Sequence, residues 1–172
     1  MSLSPAIDGS RLCLECGICC QGVLHREASV EAGEIEAVRR LGLQVIGSGK
    51  DLSFRLPCPL HQGDRCTAYM DRPRTCRSYQ CKLLKGYLEG TVDWEHCRRT
   101  IGFAKDLVDR IRRGINLADP DQCVWEEIRS LTPDQLAALV QEKEVLLDVV
   151  SLLTVSRRHF QNRASPLEVL GP

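Results

Sequence analysis

The stretch CLECGICC, residues 13–20, places four cysteines in eight positions, and two of them, Cys19 and Cys20, are adjacent. The Cys-x-x-Cys spacing occurs twice in succession, from Cys13 to Cys16 and from Cys16 to Cys19. Two intervening residues let the chain turn so that both sulfurs meet one centre, and Gly17 supplies the backbone freedom for a tight turn. The stretch therefore predicts a loop from which three thiolates bind one metal centre.

The adjacent pair needs a separate explanation. Neighbouring side chains in an extended backbone point in opposite directions. We therefore expect Cys19 and Cys20 to face different centres, or only one of them to face a centre. A disulfide between the two is the alternative, but it would be strained.

The compartment decides what ten cysteines in 172 residues are for. The first twenty residues lack the basic start and unbroken apolar run of a secretory signal, which predicts a cytoplasmic protein. No stretch of about 18 uncharged apolar residues occurs, so no membrane span is expected. Because a reducing interior disfavours disulfides, the thiols predict metal binding first and redox chemistry second.

Composition predicts one soluble domain over residues 1–172, since 43% of the residues are apolar and 27% are charged. The 23 Lys and Arg residues equal the 23 Asp and Glu residues, and no long basic run occurs. This balance argues against binding to nucleic acid or to an anionic membrane.

The chain divides into two zones. Cys97 and Cys123 stand singly in helical sequence, whereas the other eight cysteines lie in the first half. We predict a mainly α, small α+β protein, with a metal-binding region over residues 11–85 and a helical scaffold over residues 91–160. The eight candidate metal ligands are Cys13, Cys16, Cys19, Cys20, Cys58, Cys66, Cys76 and Cys81.

The scaffold helices are predicted from their caps. Thr91 or Asp93 begins a helix with apolar spacing that ends at Gly114, and a shorter helix covers residues 122–129. TPDQ, residues 132–135, forms a capping box that begins a last helix, which continues to about His159. The apolar residues of this C-terminal helix pack on the preceding helices or bind a partner protein.

The front zone is expected to contain a helix capped near Ser29 that ends at Gly42. Residues 44–56 predict a β-hairpin around GSGK, residues 47–50. This segment is interpreted as a turn rather than a phosphate-binding loop, because Asp51 follows Lys50 where Ser or Thr is needed and no helix follows.

The spacing favours an iron–sulfur cluster. Three cysteines in one loop and a remote cysteine followed by proline are typical of [4Fe–4S] sites, and Cys58 precedes Pro59. Zinc could use the same thiolates, although zinc sites more often draw two pairs, and His61 could complete a Cys3His site. Our first partition groups Cys58 with the three loop cysteines, and the second set is then Cys20, Cys66, Cys76 and Cys81.

A second motif, CTAYMDRPRTCRSYQC at residues 66–81, completes a family pattern with Cys58-Pro59-Leu60 and the first stretch. Over residues 11–85 the chain resembles the CxxCxxCC cysteine-cluster proteins, a group of zinc- or iron-chelating domains that includes flagellin lysine-N-methylases. The resemblance implies a metal or iron–sulfur site on the eight cysteines. Two alternatives remain open: a zinc-binding structural or interaction module, and a component of a protein lysine methyltransferase. Enzymatic activity is left open.

Four further residues of this motif are candidates for supporting the ligands. Arg72 and Arg77 place fixed positive charge among thiolates, which would stabilise the anionic form. Tyr69 and Tyr79 offer hydroxyl donors or aromatic cover. Pairing of Arg72 with an acid at a helix start is the alternative. Outside the matched motif, Cys97 and Cys123 are expected to be buried structural thiols.

Overall fold

The computed structural model describes residues 9–63, 65–119 and 122–162. The fold is mainly helical with two small sheets, which confirms the predicted fold class. Residues 1–8, part of the stretch used to predict the compartment, lie outside the described residues. The elements are α1 (Ser10–Cys16), β1 (Glu27–Ser29), a 3-10 turn (Ala32–Glu34), α2 (Ile35–Arg40), β2 (Val45–Ile46), β3 (Ser53–Arg55), β4 (His61–Gln62), β5 (Arg65–Cys66), α3 (Arg74–Ser78), α4 (Lys82–Leu88), α5 (Trp94–Gly114), α6 (Val124–Ser130), α7 (Pro133–Gln141), α8 (Lys143–Val155) and a π-helical turn (Ser156–Phe160).

The larger core, which we call the helical core, forms around α5. Asp93 caps this helix as predicted, because its carboxylate accepts a hydrogen bond of 2.7 Å from the His96 backbone amide. α8 packs along α5 and buries Leu152 completely. The Trp125 indole donates to the Val23 carbonyl at 2.9 Å, which ties α6 to the segment that follows the cysteine stretch.

The C-terminal helices differ from the prediction in one respect. The capping box at Thr132 is present as predicted. The prediction of a single helix to His159 was wrong, because Glu142 leaves the helical region with φ −75° and ψ 74° and separates α7 from α8. α7 buries none of its residues, whereas α8 packs on α5 and its Asp148 pairs with Arg110 at 2.8 Å. The break therefore lets α8 follow the core.

The smaller core, the sheet core, lies under an antiparallel sheet of order β1-β3-β2. The predicted hairpin is confirmed, with Val45 opposite Phe54, and GSGK forms the turn between two strands. The helix cap predicted near Ser29 was wrong, since Ser29 pairs with Ser53 in the sheet and α2 begins later. The buried apolar residues of this core are Val30, Val38, Leu43, Phe54 and Leu56.

The cysteine stretch forms a helix and a turn rather than a loop alone. Cys13 and Cys16 lie on α1, and Gly17 ends this helix in the left-handed conformation at φ +66°. A second hairpin, β4–β5, was not predicted, and it places His61 opposite Cys66. Among the described helices, none has the length and apolar character needed to cross a membrane.

Candidate metal centre

Four thiols lie together, and we call them the first thiol set: Cys13, Cys16, Cys19 and Cys81. The last three pack against the helical core. Burial is the largest cause that raises the pKa of Cys19, and repulsion from Cys20 and from the other three thiols of the set raises it further. Cys13 interacts in the same way with Cys81, and Cys16 with both Cys81 and Cys13. These mutual interactions place the four sulfurs in one neighbourhood.

Local structure explains how this set forms. Cys13 and Cys16 are three residues apart on α1, so their side chains lie on one face. The left-handed Gly17 then reverses the chain, so that Cys19 returns to that face. Cys81 caps α4 and accepts a hydrogen bond from the Leu84 amide to its sulfur at 3.4 Å.

The remaining four front cysteines form the second thiol set: Cys20, Cys58, Cys66 and Cys76. The pKa of Cys20 is raised to about 12, mainly by burial and then by repulsion from the other three members of the set. Repulsion from Cys16 contributes less than repulsion from any of these three. The Cys58 amide donates to the Cys20 carbonyl at 2.7 Å, which fixes these two residues side by side. Cys58 and Cys76 pack against the sheet core.

The neighbours of the thiols group them differently from our predicted partition, whereas different centres for Cys19 and Cys20 stay a prediction. Cys81 belongs with the first set and Cys58 with the second, the reverse of the predicted assignment. The reason is long-range: α4 packs on α5 and carries Cys81 to the helical core, whereas a backbone hydrogen bond holds Cys58 beside Cys20.

All eight thiols line one cavity of about 410 Å³, and all ten cysteines of the chain are free. Cys13 is exposed and the other seven of the eight are half-buried. Burial followed by repulsion between thiols raises the pKa of Cys76 to about 11. Charging several of these sulfurs together is therefore costly unless a cation neutralises them, and soft thiolates suit iron or zinc. The donor set fits such a metal.

The spacing of the donors carries further information. Among the residues that the structure describes, no three His, Cys, Asp or Glu side chains are arranged to hold a single metal ion. The thiols instead surround the cavity. The eight thiols therefore share one cavity.

Arg72 is the predicted supporting residue that lies nearest to both sets. Its guanidinium is 3.5 Å above the centre of the Tyr69 ring, and its Nε donates to the Tyr69 carbonyl at 2.9 Å. Its positive charge acts against burial to lower the pKa of Cys13 and that of Cys76. Tyr69 in turn donates its hydroxyl to the Ser10 carbonyl at 3.0 Å. This pair therefore joins α1 to the segment that carries Cys76.

Tyr79 lines the cavity on the side of the first set. Burial raises the pKa of its hydroxyl, and Cys19 and Cys81 raise it further. The hydroxyl donates to the Phe160 carbonyl at 3.4 Å, and the ring meets the edge of His25 at 4.9 Å between centroids. His25 also lines the cavity, and burial lowers its pKa. The sequence gives no signal for His25, because nothing in its spacing links it to the cysteines.

The structure does not bring Arg77 to the cavity lining among the described residues. Its guanidinium lies 3.9 Å from the Glu34 carboxylate.

Cys97 and Cys123 are buried as predicted, at 0% and 2% exposure, and the Cys123 thiol donates to the Gly22 carbonyl at 3.6 Å. His61 lines the cavity, and its imidazole lies against Gly17.

The arrangement defines a class of protein, a helical domain whose clustered cysteines bind metal. The family model for CxxCxxCC, described as "Putative zinc- or iron-chelating domain", matches residues 12–98, which is just over half of the chain. The chain belongs to the CxxCxxCC family. The match extends past the predicted residues 11–85 and includes Cys97, which we had placed outside it. No curated protein and no solved structure matches the chain.

Proposed function

We propose that this protein binds two [4Fe–4S] clusters, one on each thiol set. The observation that carries the proposal is that eight thiols line one cavity, with Cys19 and Cys81 packed against the helical core and Cys58 held beside Cys20 by a backbone hydrogen bond. Four cysteine thiolates are the usual ligands of one such cluster. Membership of a family described as chelating zinc or iron supports metal binding on these thiols.

The spacing of the thiols favours a cluster over a single ion. A zinc ion binds four thiolates at about 2.3 Å each, so the sulfurs must converge on one point. No three potential ligands of the described residues do so, whereas the eight thiols surround a cavity of about 410 Å³. A cluster is larger than an ion and accepts ligands that are further apart.

The residues around the cavity suit this role. When bound, such a cluster would supply one-electron redox chemistry. Arg72 would offset part of the negative charge on Cys13 and Cys76. Phe54, Leu56 and other apolar side chains of the lining would limit the access of water, which influences the reduction potential.

We also propose a cytoplasmic location. Ten free thiols suit a reducing compartment, in which disulfides are rare. That this protein is a component of a protein lysine methyltransferase stays a prediction.

Zinc remains the competing occupant, because the family description includes it. A zinc-loaded protein would act as a structural module that binds a partner through its C-terminal helices. The exposure of Leu147 at 64% and of Val150 at 53% on α8 supports such a partner surface. The partner itself stays a prediction.

Anaerobic purification followed by a visible spectrum and analysis of iron, zinc and acid-labile sulfide tests the proposal. Two clusters predict brown protein with about eight iron and about eight sulfide per chain. Cys20→Ser should remove about half of both, whereas Cys123→Ser, a matched change outside the two sets, should keep both. Colourless protein with two zinc ions and no sulfide would overturn the iron–sulfur proposal.

A further inference from the structure

A group of basic side chains lies beside the first thiol set. We call it the basic face: Lys82, His96, Arg157, Arg158 and His159. The Lys82 ammonium donates to the Arg157 carbonyl at 2.9 Å, and the rings of His96 and His159 lie 5.8 Å apart. Burial lowers the pKa of His159, and the charges of Arg158, His96 and Lys82 lower it further. These interactions bring residues from α4, α5 and the π-helical turn into one patch.

The positive charge of this face is not neutralised within the described residues. Lys82, Arg157 and Arg158 are exposed, and none of them forms an ion pair with a described carboxylate. The neighbouring acids on α5 are engaged elsewhere. Asp93 caps the helix through the His96 amide, and Glu95 pairs with Arg98 at 3.5 Å. The patch therefore presents net positive charge to solvent.

Hydrogen bonds fix the position of the basic face relative to the chain segment that carries Cys81. Lys82 directly follows that cysteine in the chain. The Tyr79 hydroxyl donates to the Phe160 carbonyl, and the Asn162 amide donates to the Gln80 carbonyl at 2.8 Å. The π-helical turn is thus fastened to the segment that carries a thiol of the first set. π-Helical turns are rare and often occur at functional sites.

The extent of the face indicates the kind of partner. Proteins that bind nucleic acid are usually strongly basic and carry a long stripe of basic residues, whereas this chain has a formal net charge of zero. A membrane-binding helix would join its basic residues to a broad apolar face. Three exposed cations and two histidines form a compact patch, which matches a compact acidic patch on another protein. Contacts between electron-transfer proteins are small and depend on such charge pairing.

We propose that the basic face docks a small acidic electron-carrier protein beside the centre held by the first thiol set. The electron-carrier part of this proposal rests on the iron–sulfur function proposed above. The docking part rests only on the charge and position of the five residues.

The test measures association of the metal-loaded protein with an acidic plant-type ferredoxin by surface plasmon resonance. The double variant R157E/R158E is compared with R39E/R40E, which reverses an equally spaced, exposed Arg-Arg pair on α2 and changes the net charge equally. Charge steering accelerates association by about 10- to 1000-fold, so R157E/R158E should slow association by about tenfold or more. R39E/R40E should cause a much smaller change. Raising the salt from about 0.1 M to about 1 M, which shortens the Debye length from about 10 Å to about 3 Å, should weaken binding of the unaltered protein.

Absence of binding at low salt, or an equal loss in both double variants, would overturn the docking proposal. Tighter binding of a single-stranded oligonucleotide or of phosphatidylserine vesicles, lost in R157E/R158E, would overturn the choice of an acidic protein. Iron and sulfide analysis of the same samples keeps the two proposals apart. A zinc-loaded protein that still binds the carrier through the basic face would refute the iron–sulfur function and leave the docking surface standing.

Discussion

The two thiol sets are built on very different supports. The first set lies against the helical core, in which α5 alone buries six side chains along one face. In the second set, Cys58 and Cys76 pack against the sheet core, which has only five buried apolar residues and strands of two or three residues. Burial of apolar surface is the main source of stability, so the helical core can hold its thiols in place unaided. We expect the sheet core to depend on what its thiols bind.

With metal bound as proposed, this difference predicts two roles for metal in one chain. At the first set, a folded scaffold would present thiols to the metal. At the second set, metal would join segments that are far apart in sequence, from Cys20 to Cys76, and so replace missing core. Four predictions, from the largest expected effect to the smallest, can break or sharpen this contrast.

Removal of metal should have the largest effect, and it should fall on the sheet core. Structural zinc supplies about 10–16 kcal/mol in small zinc-binding peptides, which is as much as five buried apolar side chains contribute at about 1.5–3 kcal/mol each. After anaerobic treatment with a chelator, hydrogen exchange should become fast in β1, β3 and β5 while α5 stays protected. Equal loss of protection in α5 and in β3 would remove the contrast between the two supports.

Arg72→Gln should weaken metal retention at both sets. Its charge acts on Cys13 in the first set and on Cys76 in the second. Loss of a residue that supports metal ligands typically lowers affinity about 10- to 100-fold, and chelator competition would measure it. Arg77→Gln is the matched control, because Arg77 lies beside Glu34 and away from the cavity lining. A larger loss in Arg77→Gln than in Arg72→Gln would reverse our assignment.

Gly17→Ala should disturb the turn between the two sets. A side chain in the left-handed conformation costs about 1–2 kcal/mol, and here the new Cβ would also collide with the His61 imidazole. Gly42→Ala separates the backbone strain from the collision. Gly42 has φ +80°, but a Cβ added there would have no other atom within 4 Å. Urea unfolding should show a larger loss of unfolding free energy for Gly17→Ala. Equal losses would mean that the contact with His61 is unimportant.

The smallest effect near neutral pH should be that of pH itself on the unfolding free energy of the metal-free protein. Burial raises the pKa of Cys16, which packs against the helical core, from 9.0 to about 12. The unfolded chain therefore releases a proton above pH 9.0 that the folded chain retains, so stability falls as the pH rises from 9.0 towards 12. Cys16→Ala should flatten this decline in unfolding free energy. A decline that is unchanged in Cys16→Ala would show that this thiol is not its source.

Local features were predictable from sequence because neighbouring residues determine them. The Asp93 cap, the Thr132 capping box and the hairpin with Val45 opposite Phe54 all follow from nearby side chains and turn residues. Adjacent side chains diverge, so the sequence also predicts different centres for Cys19 and Cys20, and this stays a prediction.

Features that depend on distant contacts could not be predicted. Nothing near Cys58 or Cys81 in sequence indicates that the first pairs with Cys20 and the second with Cys19. Packing of α4 on α5 and the Cys58–Cys20 hydrogen bond decide that exchange. The break at Glu142 has a similar origin, because packing of α8 on α5 overrides a continuous helical pattern.

The central claim is that Cys19 and Cys20 belong to different centres, with Cys81 joining the first and Cys58 the second. Native mass spectrometry of Cys→Ser variants at positions 19, 81, 20 and 58, singly and in pairs, tests it most directly. The account predicts one remaining centre in every single variant and in the double variants C19S/C81S and C20S/C58S, and no centre in C19S/C58S. One remaining centre in C19S/C58S would contradict the account.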